Sequence, residues 1–440
     1  MGKQYRSEGV SNMTKPMIPK TPFCVEEARN ILFEQLVLMP SEKATILESC
    51  GRILAQDVSS DIDISPFDNS AMDGFAVRFE DFEAARPTED MPLTLPIVGI
   101  IAAGEVFEQG LQAGETLRIM TGAPLPQGAD TVVRLEDVCV LGVSTENPAG
   151  NEVVFTKMPK HQANVRIRGE EARKGEVLLC VGERVSPPGA GLLASTGNAE
   201  VLVFGRPRVA IISTGSELVS INDKPGRGQI RNSNSYSLGA AVLEAGGIPT
   251  ILPSVADDPK VLSNALLNAV AMYDFVITSG GAADGDFDFI ASVVGELGEV
   301  LFSKVNMKPG KAQIFGLING TPVFGLPGNP GAASVGFEIF IRPALRKMQG
   351  VQNLYRPTVT AVLKQDVKKH AESRRLYLRA RLSQSDNGVY HVSVDPNQSS
   401  ALLGALNRSN CLAVMYEGQR TFSAGDMVDC LRIDTEDGAL

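Results

Sequence analysis

Between Arg208 and Gly350, three apolar runs (VAIIS, DFVITSG and PVFGLPG) alternate with helical stretches, SYSLGAAVLEAGG, DPKVLSNALLNAVAMY and GAASVGFEIFIRPALRK. Few arrangements accommodate that alternation. Runs that are apolar on every residue belong to strands covered on both faces, and the intervening helices supply the cover, so the segment predicts a largely parallel α/β sheet. Each run passes directly into a Gly-rich loop. Ligands of open α/β sheets bind beyond the carboxyl ends of the strands, so these loops are expected to converge on one crevice.

The first loop is STGSEL, Ser213 to Leu218, where Thr214, Gly215 and Ser216 offer backbone N–H groups and hydroxyls to a phosphate or a ring edge, with Glu217 at the rim. An ordinary turn after a strand reads the same way. The second is TSGGAADGDFD, in which Ser279 leads into Gly280 and Gly281, two glycines that allow close backbone approach ahead of Asp284, Asp286 and Asp288. Carboxylates so spaced repel one another unless they meet a cation, and Mg²⁺ takes one or two carboxylates together with ligand phosphates. The alternative is a solvated loop with Asp288 as the N-cap of the next helix. The third element, KVNMKPGK, brings Lys304, Lys308 and Lys311 together in an acidic chain, either to neutralise an oxyanion or as a surface cluster. The fourth, LPGNPGAAS, contains Pro327, Gly328, Asn329 and Pro330 at a strand-to-helix junction, a place that favours anions. Four such elements at the strand ends of one sheet point to a phosphate-bearing ligand and a divalent cation.

The rest of the chain is organised differently. At 440 residues it exceeds what one core holds, and about three units are expected. Residues 24–39 place Val25, Ala28, Ile31, Leu32 and Leu36 at helical spacing, predicting an amphipathic helix that docks on a domain. From Pro92 to Val154 short β-prone runs cut by Gly and Pro predict a small all-β module. From Arg356 strands return, with Asp386-Asn387-Gly388 as a hairpin turn, predicting a C-terminal β-barrel or sandwich. The first twenty residues lack the apolar core of a signal peptide and read as a disordered tail. A net charge of −10, from 51 acidic and 41 basic residues, argues against nucleic acid or anionic membrane as partner. The six cysteines are dispersed with no C-x-x-C pair, as expected of thiols in a reducing compartment.

The four loops, together with DNSAMDG (Asp68 to Gly74), MTGAPLPQGAD (Met120 to Asp130) and RIRGEE (Arg166 to Glu171), resemble the MoeA or gephyrin E-domain family of molybdopterin molybdenumtransferases, in order and spacing from about Val25 to the C-terminus. The resemblance implies a cytoplasmic, multidomain homodimer. Its parts would be a tail (1–20), a parallel α/β molybdopterin-binding domain of MogA-like fold (21–45 and 203–350), and an elongated linker and dimerisation domain (46–67 and 166–202). An inserted β module (68–165) and a C-terminal β-barrel domain (351–440) complete it. The implied reaction inserts molybdate into adenylylated molybdopterin with release of AMP, assisted by Mg²⁺, and a molybdopterin adenylyltransferase is a possible partner. Residue by residue, the resemblance makes Asp288, Glu217 and Asp257 the metal and catalytic carboxylates, and Lys304 and Lys308 the holders of anionic oxygens. Arg379 and Ser400 would be contributions from the C-terminal domain. Asp73, Thr121 and Glu171 would come from the partner subunit. Two departures stand out: Glu171 where the family commonly has Asp, and Gly280-Gly281-Ala282-Ala283-Asp284-Gly285, which lacks a serine the family usually carries and adds an acid. The adenylyltransferase itself and a non-catalytic scaffold like the receptor-clustering gephyrin E domain are the competing readings; the β modules and DNSAMDG disfavour the first, and the retained carboxylates and lysines the second.

Overall fold

The computed structural model describes residues 21–142, 150–281, 289–368, 374–418 and 421–435. The chain divides into two compact units, Met1–Glu42 with Phe204–Leu440, and Lys43–Val203.

The first unit begins with α1 (Val25–Glu34), started by a capping box in which Cys24 Sγ accepts from the Glu27 amide at 3.4 Å and the Cys24 amide donates to Glu27 Oε2 at 3.0 Å. It buries Val25, Ala28 and Leu32 against the main core. The helix is shorter than the apolar spacing predicts. It ends at Glu34, where the Gln35 amide turns back to the Leu32 carbonyl at 3.2 Å and the Leu36 amide to the Phe33 carbonyl at 3.4 Å. The chain beyond is held by the Met39 amide, which donates to the Met348 carbonyl at 2.7 Å.

A six-stranded sheet follows, made of β1 (Arg208–Ser213), β2 (Ile248–Ile251), β3 (Phe275–Ser279), β4 (Glu299–Lys304), β6 (Ala312–Ile318) and β7 (Thr321–Leu326), while β5 (Met307–Lys308) leaves to join another sheet. The order is β2-β1-β3-β7-β6-β4, with the first four parallel, β6 antiparallel to β7, and β4 antiparallel to β6. Alternate residues of β1 face opposite cores. Val209 and Ile211 pack with Leu238 and Val242 of α2 (Asn234–Glu244), whereas Ala210 and Ile212 pack with Leu262 and Leu266 of α3 (Pro259–Met272) and Ile290 and Val294 of α4 (Phe289–Leu297). That double cover is why the runs are apolar throughout.

Register decides where the loops begin. Ser213 pairs with Ser279, and Ser279 pairs with Leu326, so the last residues of β1, β3 and β7 lie level. The ladder continues into the loops, with the Thr214 amide donating to the Ser279 carbonyl at 2.9 Å and the Gly280 amide to the Leu326 carbonyl at 3.2 Å. The chain leaves β1 for β2 on one side and returns to β3 on the other, which makes the β1/β3 boundary the topological switch point.

The C-terminal sheet has the order β5-β9-β10-β8-β12-β11, where β8 is Thr358–Leu363, β9 Arg375–Gln384, β10 Tyr390–Val394, β11 Cys411–Met415 and β12 Met427–Arg432. A further β9–β11 pairing closes it into a small barrel around Leu363, Leu378, Val392, Ala413 and Cys430. Gly388 sits in the β9–β10 turn with φ +82, as the Asp-Asn-Gly signal requires.

The second unit contains a six-stranded sheet in the order Thr131–Arg134, Gly74–Val77, Thr116–Ile119, Leu93–Ile101, Glu152–Phe155 and Cys139–Leu141. Separate from its two cores is a smaller cluster of Ala44, Leu54, Val58, Val185, Leu193, Val201 and Val203 beside the helix Pro187–Ser195. Among the described residues no helix is long and apolar enough to cross a membrane.

Candidate functional site

The level ends of β1, β3 and β7 open a cavity of about 820 Å³ lined by Thr214, Gly215, Glu217, Asn232, Asn234, Asp257, Ser279, Gly280, Gly281, Gly328, Asn329 and Pro330. The loops touch at backbone distance. A Cβ at Gly280 would fall 2.2 Å from the Thr214 carbonyl oxygen, and φ is +102 there, so no side chain fits. Asn234 ties the second loop to the fourth by donating from Nδ2 to Ser279 Oγ and to the Gly328 carbonyl, each at 2.8 Å.

Of the paired aspartates after β2, Asp258 is spent on structure, its Oδ1 accepting from the amides of Lys260 at 2.8 Å and Val261 at 3.1 Å as the N-cap of α3. Asp257 is left to the cavity. Val255 holds it there through bonds to both sides of the first loop: its amide donates to the Ser213 carbonyl at 2.9 Å, and its carbonyl accepts from the Gly215 amide at 3.2 Å. The Glu217 carboxylate folds back over Gly215, within 2.7 Å of where a Cβ on that glycine would sit. Among the described residues no group of three or more His, Cys, Asp or Glu side chains is placed to hold a metal ion. Glu217 and Asp257 nevertheless put two carboxylates in one cavity, which fits Mg²⁺ that takes its remaining ligands from phosphate and water. Asp288, the third expected carboxylate, lies outside the described residues, and Ser216 is exposed and outside the lining.

A second cavity of about 580 Å³ lies between the sheet and the barrel and includes Lys308, Lys311, Lys368 and Arg374, set against Asp366 and Asp395. Pro327 and Ser400 also line it, and Asn329 lines both cavities. The three lysines of KVNMKPGK therefore part company. Lys304 ends β4, paired with Ala312, and lines neither cavity, while β5 carries Lys308 across to pair with Leu376 of the barrel.

The expected anion-favouring helix start after Pro330 is engaged by protein. The Gly331 amide donates to the Ser400 carbonyl at 2.7 Å, which fastens the barrel loop to the LPGNP loop. Arg379 acts one step back from the cavity. It is 2% exposed, and its guanidinium donates to the carbonyls of Ser399 (2.9 Å), Asn397 (3.2 Å) and Leu402 (3.3 Å), so it holds the loop that carries Ser400. Burial lowers its pKa.

In the other unit, Asp73 Oδ1 accepts from both the amide and the hydroxyl of Thr121 at 2.8 Å. Those bonds, the amide first, hold the carboxyl below its ordinary value. Glu171 is exposed, and its amide donates to the Ile64 carbonyl at 3.0 Å. Sequence reading missed Asn234, Lys368 and Arg374. For Asn234 the signal was present in RNSNS just before the first apolar residue of α2, whereas the two cations depend on barrel packing.

Three family descriptions match in chain order: MoeA N-terminal region (domain I and II) over residues 23–197, a probable molybdopterin binding domain over 210–347, and MoeA C-terminal region (domain IV) over 360–433. A molybdopterin molybdenumtransferase of Staphylococcus aureus (strain COL) is 34% identical over 418 residues, 95% of this chain and 97% of that protein. This chain belongs to the MoeA family. One of the same name from Staphylococcus epidermidis (strain ATCC 12228) is 33% identical over 94% of this chain and 96% of its own length. Two structures of a molybdopterin biosynthesis MoeA protein from Pyrococcus horikoshii superpose with TM-scores of 0.79 and 0.78, at 31% and 27% identity, over 94% and 93% of this chain and 99% of each of theirs. The MoeA fold thus accounts for both units and for the closed barrel.

Proposed function

We propose that this protein is a molybdopterin molybdenumtransferase of molybdenum cofactor biosynthesis, taking adenylylated molybdopterin and molybdate as substrates and releasing AMP. The observation that carries the reading is the pair of adjoining cavities, one rimmed by carboxylates at a parallel-sheet switch point and one lined by cations, with Asn329 common to both. A pterin nucleotide and an oxyanion need that juxtaposition: a Gly-lined cleft for the phosphoanhydride and rings, and ammonium groups for the tetrahedral anion.

In this reading the loops at Thr214–Gly215 and Ser279–Gly281 orient the nucleotide, and Lys308 and Lys311 hold molybdate oxygens near Ser400. Glu217, Asp257 and Asp288 hold Mg²⁺, which when bound neutralises charge on the breaking phosphoanhydride. The protein acts in the cytoplasm as a homodimer, with Asp73, Thr121 and Glu171 serving the partner subunit's site, and receives the pterin from an adenylyltransferase.

The test is reconstitution of the purified protein with adenylylated molybdopterin, molybdate and Mg²⁺. AMP and active cofactor, transferred to an apo-molybdoenzyme, should appear together and disappear with a chelator. Consumption of ATP with molybdopterin and release of pyrophosphate would instead identify an adenylyltransferase. Asp288→Asn should abolish insertion at limiting molybdate while leaving the unfolding midpoint unchanged, and mixing it with Asp73→Asn subunits should restore part of the activity if the site is shared across a dimer.

A further inference from the structure

Two asparagines stand two residues apart beside the nucleotide cavity and are treated differently by the fold. Asn232 is fully engaged: its Oδ1 accepts from Ser213 Oγ at 3.1 Å and the Ser235 amide at 3.2 Å, and its Nδ2 donates to Ser235 Oγ and Ser254 Oγ, each at 2.9 Å. Asn234 is 9% exposed and spends both amide hydrogens on Ser279 Oγ and the Gly328 carbonyl. A carbonyl can only accept, so the Gly328 bond fixes which amide atom is nitrogen and leaves Oδ1 as an acceptor. That oxygen has no hydrogen-bond partner among the described residues. Neither has Thr214 Oγ1, on a residue 3% exposed that lines the same cavity. Gly280 and Gly281 keep the space beside it open, since a Cβ on either would lie 2.9 Å from that hydroxyl oxygen.

Buried polar atoms without partners are destabilising in the free protein, and those that line a cavity can be completed by water, an ion or a ligand group that enters it. For Asn234 Oδ1 the missing partner must be a donor, whereas the Thr214 hydroxyl, which donates or accepts, can serve as an acceptor beside it. Phosphate and molybdate oxygens are acceptors themselves and cannot satisfy Asn234 Oδ1, whereas an amino or lactam N–H at the edge of a heterocycle can. We infer that Asn234 Oδ1 and Thr214 Oγ1 form a paired acceptor for N–H groups of the substrate's heterocycle, and so select which ring edge the cavity admits. The inference rests on the pterin-nucleotide reading above and specifies its recognition.

Calorimetric titration of the full-length protein tests it with two matched pairs: AMP against purine ribonucleoside monophosphate, which lacks the amino group, and pterin against lumazine, which has an oxo group in its place. One pair should split by about tenfold in favour of the amino-bearing member, as expected for one buried hydrogen bond, and the pair that splits names the ring. Thr214→Val should shrink that preference while raising Tm by about 1–2 °C, because it deletes an unpartnered buried hydroxyl. Asn234→Leu should abolish the preference, and Asn234→Asp, which keeps an acceptor but loses the tie to Gly328, should retain it at lower overall affinity. Equal affinities within both pairs, or a Thr214→Val protein with lower Tm and unchanged preference, would overturn the inference. If insertion proceeds with no discrimination, only the acceptor pair is wrong; if the protein neither inserts molybdate nor binds any probe, the functional reading falls with it.

Discussion

Replacing Gly280 by alanine tests whether the cavity depends on backbone contact between the first two loops. The added Cβ would lie 2.2 Å from the Thr214 carbonyl oxygen and 2.9 Å from Thr214 Oγ1, with the residue at φ +102. A non-glycine residue in such a conformation costs about 1–3 kcal/mol. Overpacking against a backbone atom that no rotamer change can move adds about 1–3 kcal/mol. The total, about 2–6 kcal/mol, is a large part of the 5–15 kcal/mol that holds a typical domain together. Gly320 provides the control. It follows Asn319 in the β6–β7 turn at φ +79 with nothing within 4 Å of an added methyl, so alanine there bears only the left-handed cost of about 1–2 kcal/mol. Because the chain has no tryptophan, urea unfolding is best followed by far-UV circular dichroism, alongside AMP titration of each variant. Gly280→Ala should exceed Gly320→Ala in lost stability by about 1 kcal/mol or more, or else displace the loop and lose AMP affinity. A Gly280→Ala protein that matches the control in both measurements would refute the close-approach argument.

Other variants separate chemistry from folding. Glu217→Gln and Asp257→Asn remove exposed carboxylates and should reduce Mg²⁺-dependent AMP release by at least about tenfold with Tm unchanged, as expected where carboxylates act only on a bound cation. Arg379→Lys should fail to replace the guanidinium, because one ammonium cannot reach three carbonyls; a loss of about 2–4 kcal/mol in stability and weaker molybdate binding near Ser400 are expected, from unfolding and competition assays. Thr121→Val removes one of two donors to Asp73, so NMR titration should show its carboxyl rising toward the ordinary value. Since folding depresses that pKa, the stability it contributes is present above the unfolded value and fades as pH falls through the folded one; wild type and Thr121→Val should therefore differ at neutral pH and converge in acid.

Sequence alone carried the α/β architecture, because strands buried on both faces must be apolar at every position and the helices between them must be amphipathic. Several glycines and hydroxyl residues of the larger cavity, Thr214, Gly215, Ser279, Gly280 and Gly281, were likewise legible from their place at or directly after the ends of such strands, whereas Asn232 and Asn234 were not. Tertiary structure decided the rest. Only register sets Ser213, Ser279 and Leu326 level, and only the exit of β5 to the barrel separates Lys308 from Lys304 four residues earlier. Asp257 and Asp258 are the same residue type side by side; which one caps α3 and which faces the cavity follows from where the helix starts. Arg379 is read in sequence as a ligand-binding cation, yet its carbonyl partners belong to a loop about twenty residues away, and no spacing rule reports that contact. Linear pattern records what each residue must avoid or bury, whereas the partner of a buried polar group depends on which distant segments the packed core brings together.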